Sequence, residues 1–306
     1  MLSYQHAFHA ANHADLFKHA CLCALLDKLT KKPKPFFYLD THSGNGLYEL
    51  GLKKQDEVEV TKYLNLQSSI PSFEKYINII KPFLAKNSYP GSPLVVTEYL
   101  QQKINELDEE ARQILNNKYK SNQIHLNELH PNVFPELKHN TWYPNTHLHN
   151  RDGFELLNAL MPPKPNRGIV FIDPPYENIN EYEQVENAAL KAIQKWPQGI
   201  IVIWYPLLSP ERIAHTSRQI ESNPKHGFSE NMVTNLLNKL DIGLLDCRFA
   251  RYEPSEKIGM YGSGMLIINP PYQVEKECES ILEFLLQNTQ ESDSNLSEIN
   301  MLKQPY

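Results

Sequence analysis

The chain has 306 residues, 41% hydrophobic and 22% charged, the proportions of a globular protein able to bury a sizeable core. Thirty lysines and arginines against 36 acids leave a formal charge of −6; this excludes blanket positive charge as a means of holding nucleic acid, but not a local basic face. Four cysteines without a CxxC pair, a polar N-terminus and no run near the ~18 apolar residues of a membrane span point to a reducing, cytoplasmic setting and no membrane partner.

Residues 1–19 hold four of the 12 histidines, His6, His9, His13 and His19. A helix is expected next, with Asp15 as its cap and Leu16, Ala20, Cys23, Leu26 and Leu29 as its apolar stripe. Lys28, Lys31, Lys32 and Lys34, broken by Pro33 and Pro35, form a basic turn. Phe36-Phe37-Tyr38-Leu39 reads as a buried strand ending at Asp40. Residues 51–122 read mainly as a helical insertion, with helices over 60–67, 73–84 and 98–116 and a strand signal only at 94–96. Strand patterns return at 123–127, 146–149, 168–172, 199–204, 243–249 and 264–268, with helices at 153–161 and 182–196 among them. This alternation predicts an α/β fold with a mostly parallel, seven-stranded sheet. Its core would span 1–50 and 123–275. Residues 274–306 carry seven acidic and two basic side chains, and the polar stretch 287–306 reads as a flexible acidic tail.

Two constellations carry chemistry. Asp40-Thr41-His42-Ser43-Gly44-Asn45-Gly46 follows the first strand, and Gly44 and Gly46 let the backbone turn tightly and approach a ligand. The dinucleotide fingerprint GxGxxG would need a third glycine where Glu49 stands, an unfavourable neighbour for a diphosphate. A strand-end acid followed by GxG suits a cationic ligand without phosphate, such as S-adenosylmethionine. GxG turns are common, so this loop alone does not decide between a ligand cradle and an ordinary turn.

The second is Asp173-Pro174-Pro175-Tyr176 after the apolar run 169–172. It suits methylation of a planar exocyclic amine, whose lone pair is delocalised into its ring. Asp173 and the Pro174 carbonyl can each accept one N–H, Pro175 stiffens the turn, and Tyr176 can stack on a base. Asn269-Pro270-Pro271-Tyr272 is a second copy of this pattern. Chain order favours Asp173, which follows the fourth core strand beside the glycine loop, whereas residue 269 follows one of the last strands at the sheet's edge. Glu128, after 123–127, is placed to bind ribose hydroxyls, and Asp152-Gly153, after 146–149, to accept from an adenine amino group. His9 and His13, four apart, could ligate a metal on a helix, but no HExxH pattern or third carboxylate accompanies them, and no metal is assigned. Tyr4, His6, Lys18 and the 28–34 lysines could instead line a nucleic-acid path.

The opening residues 1–10, with Asn12-His13-Ala14-Asp15 and Lys18-His19, resemble the start of the bacterial RlmJ family, the 23S ribosomal RNA adenine-N6 methyltransferases. Tyr38-Leu39-Asp40-Thr41-His42, Tyr89-Pro90-Gly91-Ser92-Pro93, Glu128-Leu129-His130-Pro131, Asp152-Gly153, Ile172 with the Asp173–Tyr176 motif, Trp204-Tyr205-Pro206 and Ser263-Gly264-Met265 extend the resemblance over roughly residues 1–275. It implies a Rossmann-like class I S-adenosylmethionine-dependent methyltransferase that modifies one adenine of 23S rRNA, as naked or early-assembly RNA. A monomer without an obligate protein partner is expected. The resemblance implies cofactor contacts at His19, His42, Ser92, Glu128, Asp152, Gly153 and Asp173, to which the glycine turn adds Gly44 and Gly46; it casts Asp173 as catalytic, with Pro174 and Tyr176 added by the chemistry of the motif, and Tyr4 as contacting the RNA, with His6 and Lys18 beside it. A DNA adenine methyltransferase, or a non-catalytic nucleotide- or metal-binding protein, are the other readings of the same residues.

Overall fold

The computed structural model describes residues 10–51, 59–110, 112–114, 121–214, 217–254, 258–288 and 297–304. Tyr4, His6 and His9 lie outside them. The central sheet is built from β1 (Phe37–Asp40), β4 (Gln123–Asn127), β5 (Thr146–His149), β6 (Gly168–Ile172), β7 (Ile200–Leu208), β10 (Leu244–Ala250), β11 (Met260–Ile268) and β12 (Glu298–Lys303), in the order β12-β10-β11-β7-β6-β1-β4-β5. The run β5-β4-β1-β6-β7 is parallel throughout. β11 runs antiparallel between β7 and β10. Because the chain leaves β1 for β4 on one side and returns to β6 on the other, the carboxyl ends of β1 and β6 flank the crevice where α/β sheets place ligands.

All seven expected strands are present, and the sheet has an eighth. The C-terminal stretch expected to be a flexible tail supplies β12, which pairs antiparallel with β10. Its apolar side chains alternate, and Ile299 and Met301 pack on the core; that period of two was hidden by the polar residues around it. The helix before it, α8 (Val274–Asn288), carries the core beyond residue 275, burying Val274, Cys278, Ile281, Leu282 and Leu285 on one stripe.

α1 (His13–Thr30), α2 (Pro71–Leu84), α3 (Ser92–Asn105) and α8 share one apolar core on one sheet face. α5 (Gly153–Leu160), α6 (Asn180–Lys195) and α7 (Phe228–Lys239) cover the other, and a short α4 (Phe134–Asn140) follows β4. None of the described helices is long and apolar enough to cross a membrane. Within the insertion, 59–63 is a 3-10 turn, and Leu94-Val95-Val96 lies inside α3 rather than in a strand: Pro93 in the helix's first turn, where its missing N–H costs nothing, outweighs the β-branched pair. β2 (Leu47–Glu49) pairs with β3 (Ser88–Pro90), tying the insertion to the glycine loop. β8 (Glu211–Ile213) and β9 (Ile220–Ser222) form a small hairpin beyond β7.

The cap of α1 differs from expectation. Asn12 is the N-cap and accepts from the Asp15 N–H at 3.0 Å, while the Asp15 carboxylate reaches back to the Ala11 N–H at 3.0 Å. Such reciprocal satisfaction of amide donors fixes where the helix begins, and with it the position of Lys18 one turn on.

Candidate active site

Four acids stand at the carboxyl ends of four adjacent parallel strands: Asp40 on β1, Glu128 after β4, Asp152 after β5 and Asp173 after β6. Asp40 is fully buried, receiving the Ser92 hydroxyl at 2.6 Å and the His42 N–H at 3.2 Å. Burial pushes its carboxyl up to about 7, with Asp173 nearby adding to the rise and the Ser92 and His42 hydrogen bonds opposing it. The Lys18 ammonium nearby offsets the rise only in part, and a bound cation would favour the ionised form further.

The glycine loop fits closely around this acid. Gly44 and Gly46 adopt φ of +59° and +73°, the left-handed region, and a Cβ on Gly44 would stand 2.1 Å from the Tyr48 hydroxyl. The Gly44 N–H donates to Glu128 Oε2 at 3.0 Å and the His130 N–H to Glu128 Oε1 at 2.7 Å, which locks the Glu128 carboxylate beside the loop. Asp152 caps α5, its Oδ1 accepting from Phe154 and Glu155 N–H at 2.9 Å each. Gly153 lets that helix close on the loop: a Cβ there would meet the Thr41 carbonyl oxygen at 2.5 Å. His42 packs edge-on to Phe154 and bonds Thr41 Oγ1 at 2.8 Å. Burial holds its imidazole down at about 4 against the pull of Asp173 and Asp152, so it is neutral at pH 7. His19 is buried in α1 with Nδ1 2.8 Å from the Tyr89 hydroxyl, which bonds Tyr76 in turn.

Lys18 is not on a surface path beside phosphates. It is buried, with Nζ 2.9 Å from Asp173 Oδ2 and 2.8 Å from Asp15 Oδ1. Burial alone would lower its affinity for a proton, yet the two carboxylates hold its pKa well above the usual value. Nor do the lysines at 28–34 join it: α1 runs back along the sheet, so Lys28 lies about 15 Å down the helix axis from Lys18 and the others follow it toward the amino end of β1. His13 Nδ1 is 3.1 Å from Glu59, which also pairs with Arg251.

Tyr176 departs most from its expected role. It is 1% exposed, its hydroxyl donates to the Trp204 carbonyl at 2.8 Å, and its ring packs 4.6 Å from that of Tyr182. No face of the phenol is open to a base in this structure. The second motif copy serves the fold. Because β11 is antiparallel, Asn269 emerges at the opposite end of the sheet from Asp173, where its amide donates to the Pro197 and Gly199 carbonyls at 2.7 and 2.9 Å. β11 is also internal to the sheet, not at its edge. Sequence reasoning passed over Asn127, which is buried and spans loops by donating to the Thr41 and Arg151 carbonyls, both at 2.9 Å. Its place at a strand end next to Glu128 was the available signal.

Comparison with known proteins identifies the family to which this fold belongs. The family described as "Ribosomal RNA large subunit methyltransferase D, RlmJ" matches residues 33–298. Ribosomal RNA large subunit methyltransferase J of Escherichia coli K12 is 33% identical over 294 residues, 93% of either chain, and that of Haemophilus influenzae 33% identical over 295 residues, again 93% of either chain. Protein LPL1258 of Legionella pneumophila has a crystal structure that superposes with a TM-score of 0.73, at 30% identity over 96% of this chain and 98% of that one. A doubly wound sheet with acids at its switch point, matched along nearly its whole length by these relatives, places the chain in the RlmJ family of ribosomal RNA large subunit methyltransferases.

Proposed function

We propose that this protein transfers a methyl group from S-adenosylmethionine to N6 of an adenine in 23S ribosomal RNA. One observation carries the reading: the Asp173 carboxylate stands beside the glycine loop and already holds a nitrogen donor, Lys18 Nζ, at 2.9 Å. An exocyclic amine presented to the same oxygen would take the ammonium's place.

The pocket suits the cofactor. Asp40, poised near neutrality, can ionise against a cationic methionine moiety; Glu128 and Asp152 can accept from ribose and adenine; Gly44 and Gly153 let the loop pack tightly against Tyr48 and the Thr41 carbonyl, which fixes these acids in place. When bound, S-adenosylmethionine supplies the electrophilic methyl group. Asp173 and the Pro174 carbonyl accept the two amine hydrogens and orient the nitrogen, so catalysis is chiefly positioning and electrostatics. Negative charge at Asp173 favours the nitrogen as it becomes cationic, and methylation itself acidifies that nitrogen, so the proton need not leave before attack. Lys18 gives up Asp173 as the amine enters and keeps Asp15, one turn back on its own helix.

The test is transfer of labelled methyl groups to naked 23S rRNA, with duplex DNA and protein substrates alongside and the modified nucleoside identified by mass spectrometry. N6-methyladenosine in the RNA alone is expected; label only in DNA or protein would overturn the substrate assignment. Asp173→Ala should lower the rate by about 10²–10³-fold, the scale of losing one charged partner of the transition state, and retained activity would refute the site. Asp173→Asn separates its roles: near-full activity would mean that hydrogen bonding, not charge, carries the effect.

A further inference from the structure

The end of the sheet away from the site is basic. Residues 28–39 hold four lysines, residues 156–172 a lysine and an arginine, and neither stretch contains an acid. They lead into β1 and β6, which pair in parallel with Phe37 level with Gly168. Lys34 and Lys164, a few residues earlier in each case, therefore arrive at the same end of adjacent strands. Arg167 fastens the two loops into one surface. Its guanidinium donates to the Leu29 carbonyl and, at 3.2 Å, to that of Lys34, and its own carbonyl accepts the Phe37 N–H at 2.8 Å. Pro33 and Pro35 stiffen the first loop. Lysines nearer the helices are neutralised: Lys28 pairs with Glu277 at 3.3 Å and Lys103 with Asp27 at 3.9 Å. Lys31, Lys32, Lys34 and Lys164 are exposed and form no ion pair among the described residues. At the same sheet end, two strands from β1, Trp142 precedes β5 and is 66% exposed, with exposed Lys138 in the last turn of α4 before it.

The crevice at the other end holds a phosphate chain poorly. Asp40, Glu128, Asp152 and Asp173 gather there, and the Lys18 ammonium is taken up by Asp15 and Asp173. Neutralisation of phosphates by lysine and arginine supplies most sequence-independent affinity for a nucleic acid, so a polyanion that delivers one adenine to those acids must be held elsewhere. The free lysines before β1 and β6 meet that need, and Trp142 offers a flat apolar face on which a base can stack. The distance is short: the five residues of β6 span about 17 Å, and a folded RNA with one base in the crevice is broad enough to reach both ends around the β5 edge. An anionic membrane fits less well, because these lysines stand on turns and not on the polar side of an amphipathic helix with an apolar face to insert.

We propose that Lys31, Lys32, Lys34 and Lys164, with Trp142 beside them, form a second RNA-docking surface at the amino ends of β1, β6 and β5, gripping the substrate away from the adenine that is methylated. It acts on affinity and encounter, not on methyl transfer. A chain of formal charge −6 thereby holds RNA by sorting unpaired positive charge to one end. This inference rests on the adenine-methylation reading above.

Full-length wild type would be titrated with naked 23S rRNA from about 0.05 to 1 M salt, beside a variant with Lys31, Lys32, Lys34 and Lys164 all changed to Ala, one with all four changed to Arg, and Trp142→Ala. The fourfold Ala variant should lower the slope of log K against log salt by about 3, as four lost phosphate contacts require, and weaken binding roughly 100-fold at about 0.15 M salt. Its kcat at saturating RNA and its S-adenosylmethionine affinity should match wild type, and the Arg variant should keep the wild-type slope. Trp142→Ala should weaken binding about 5- to 100-fold, the range of one lost base–aromatic stack, with the slope unaltered. A wild-type slope in the fourfold Ala variant, wild-type affinity in Trp142→Ala, or a loss confined to phosphatidylserine vesicles run alongside overturns the proposal. If thermal unfolding shows that the fourfold variant does not fold, the single Lys→Ala variants decide, each lowering the slope by just under ~1. Wild type that transfers no methyl group to the RNA would sink the functional reading instead, a result distinct from variants that match an active wild type.

Discussion

Asp40 shows how one side chain can tie the cofactor reading to solution pH. Its carboxyl is held near neutrality by burial, whereas an exposed aspartate titrates near 3.9. Ionisation, favourable to a bound cation, is thus incomplete below pH 7. S-adenosylmethionine affinity should weaken as the pH falls from 7.5 to 6, approaching tenfold per unit at the acid end. Calorimetric titration across that range checks this, and Asp40→Asn should flatten the profile. A wild-type profile as flat as the variant's would remove Asp40 from the cofactor's cationic end. The cavity's other acids do different work: Glu128 is held by two backbone N–H groups and Asp152 caps a helix, so both are pre-oriented before any ligand arrives.

At the scale of elements, the proposed cofactor cradle depends on how closely α5 approaches the turn after β1. Gly153→Ala puts a methyl 2.5 Å from the Thr41 carbonyl oxygen, a backbone atom that cannot rotate away. The helix must shift, and the expected outcome is a loss of about 1–3 kcal/mol in stability together with weaker cofactor binding. Thermal unfolding and cofactor titration measure the two separately. On the neighbouring strands, His125, His147 and His149 stack: His125 lies 4.6 Å from His147 and 5.2 Å from His149, with Nδ1 of His125 2.9 Å from Nε2 of His149. Burial, and then the two neighbouring imidazoles, push His125 down to about 3, below the ~6.5 of an unfolded histidine. Its contribution to stability is therefore full above pH 6.5 and lost as the pH falls through 3. His42, at about 4, acts in the same sense. Asp40 opposes them, its contribution being full below ~3.9 and lost as the pH rises through about 7. The urea midpoint of His125→Gln should fall less than that of wild type between pH 6.5 and 4; parallel slopes would remove the stack from the acid response.

For the molecule as a whole, β12 closes the far edge of the sheet, with β10, β11, β7 and β6 between it and β1. Deleting residues 297–306 would expose the β10 edge and the core surface now under Ile299 and Met301. The shortened protein should unfold at a lower urea concentration and associate more readily through its bare strand edge, yet keep its methyl-transfer rate per folded molecule. A rate that falls with unaltered stability would mean that the acidic end acts at the site itself.

Periodicity and local chemistry made much of this legible in the chain. Seven strands, the α/β class and the glycine turn after β1 follow from apolar runs, turn residues and the order in which they occur, all local properties of sequence. β12 was missed because its pattern of two is short and set in a polar stretch, and 94–96 looked extended because β-branched residues fit a strand until a proline starts a helix beside them. Contacts between residues far apart in the chain were beyond that reach. The Lys18 ammonium finds Asp173 across 155 positions, Tyr176 turns inward through a positive φ, and the loops before β1 and β6 come level through strand register. Sequence by itself determined most of the elements and which acids end the parallel strands; only packing of α1 over the β6–β7 crevice decided which side chains meet, because burial makes each charge seek a partner that the chain brings from elsewhere.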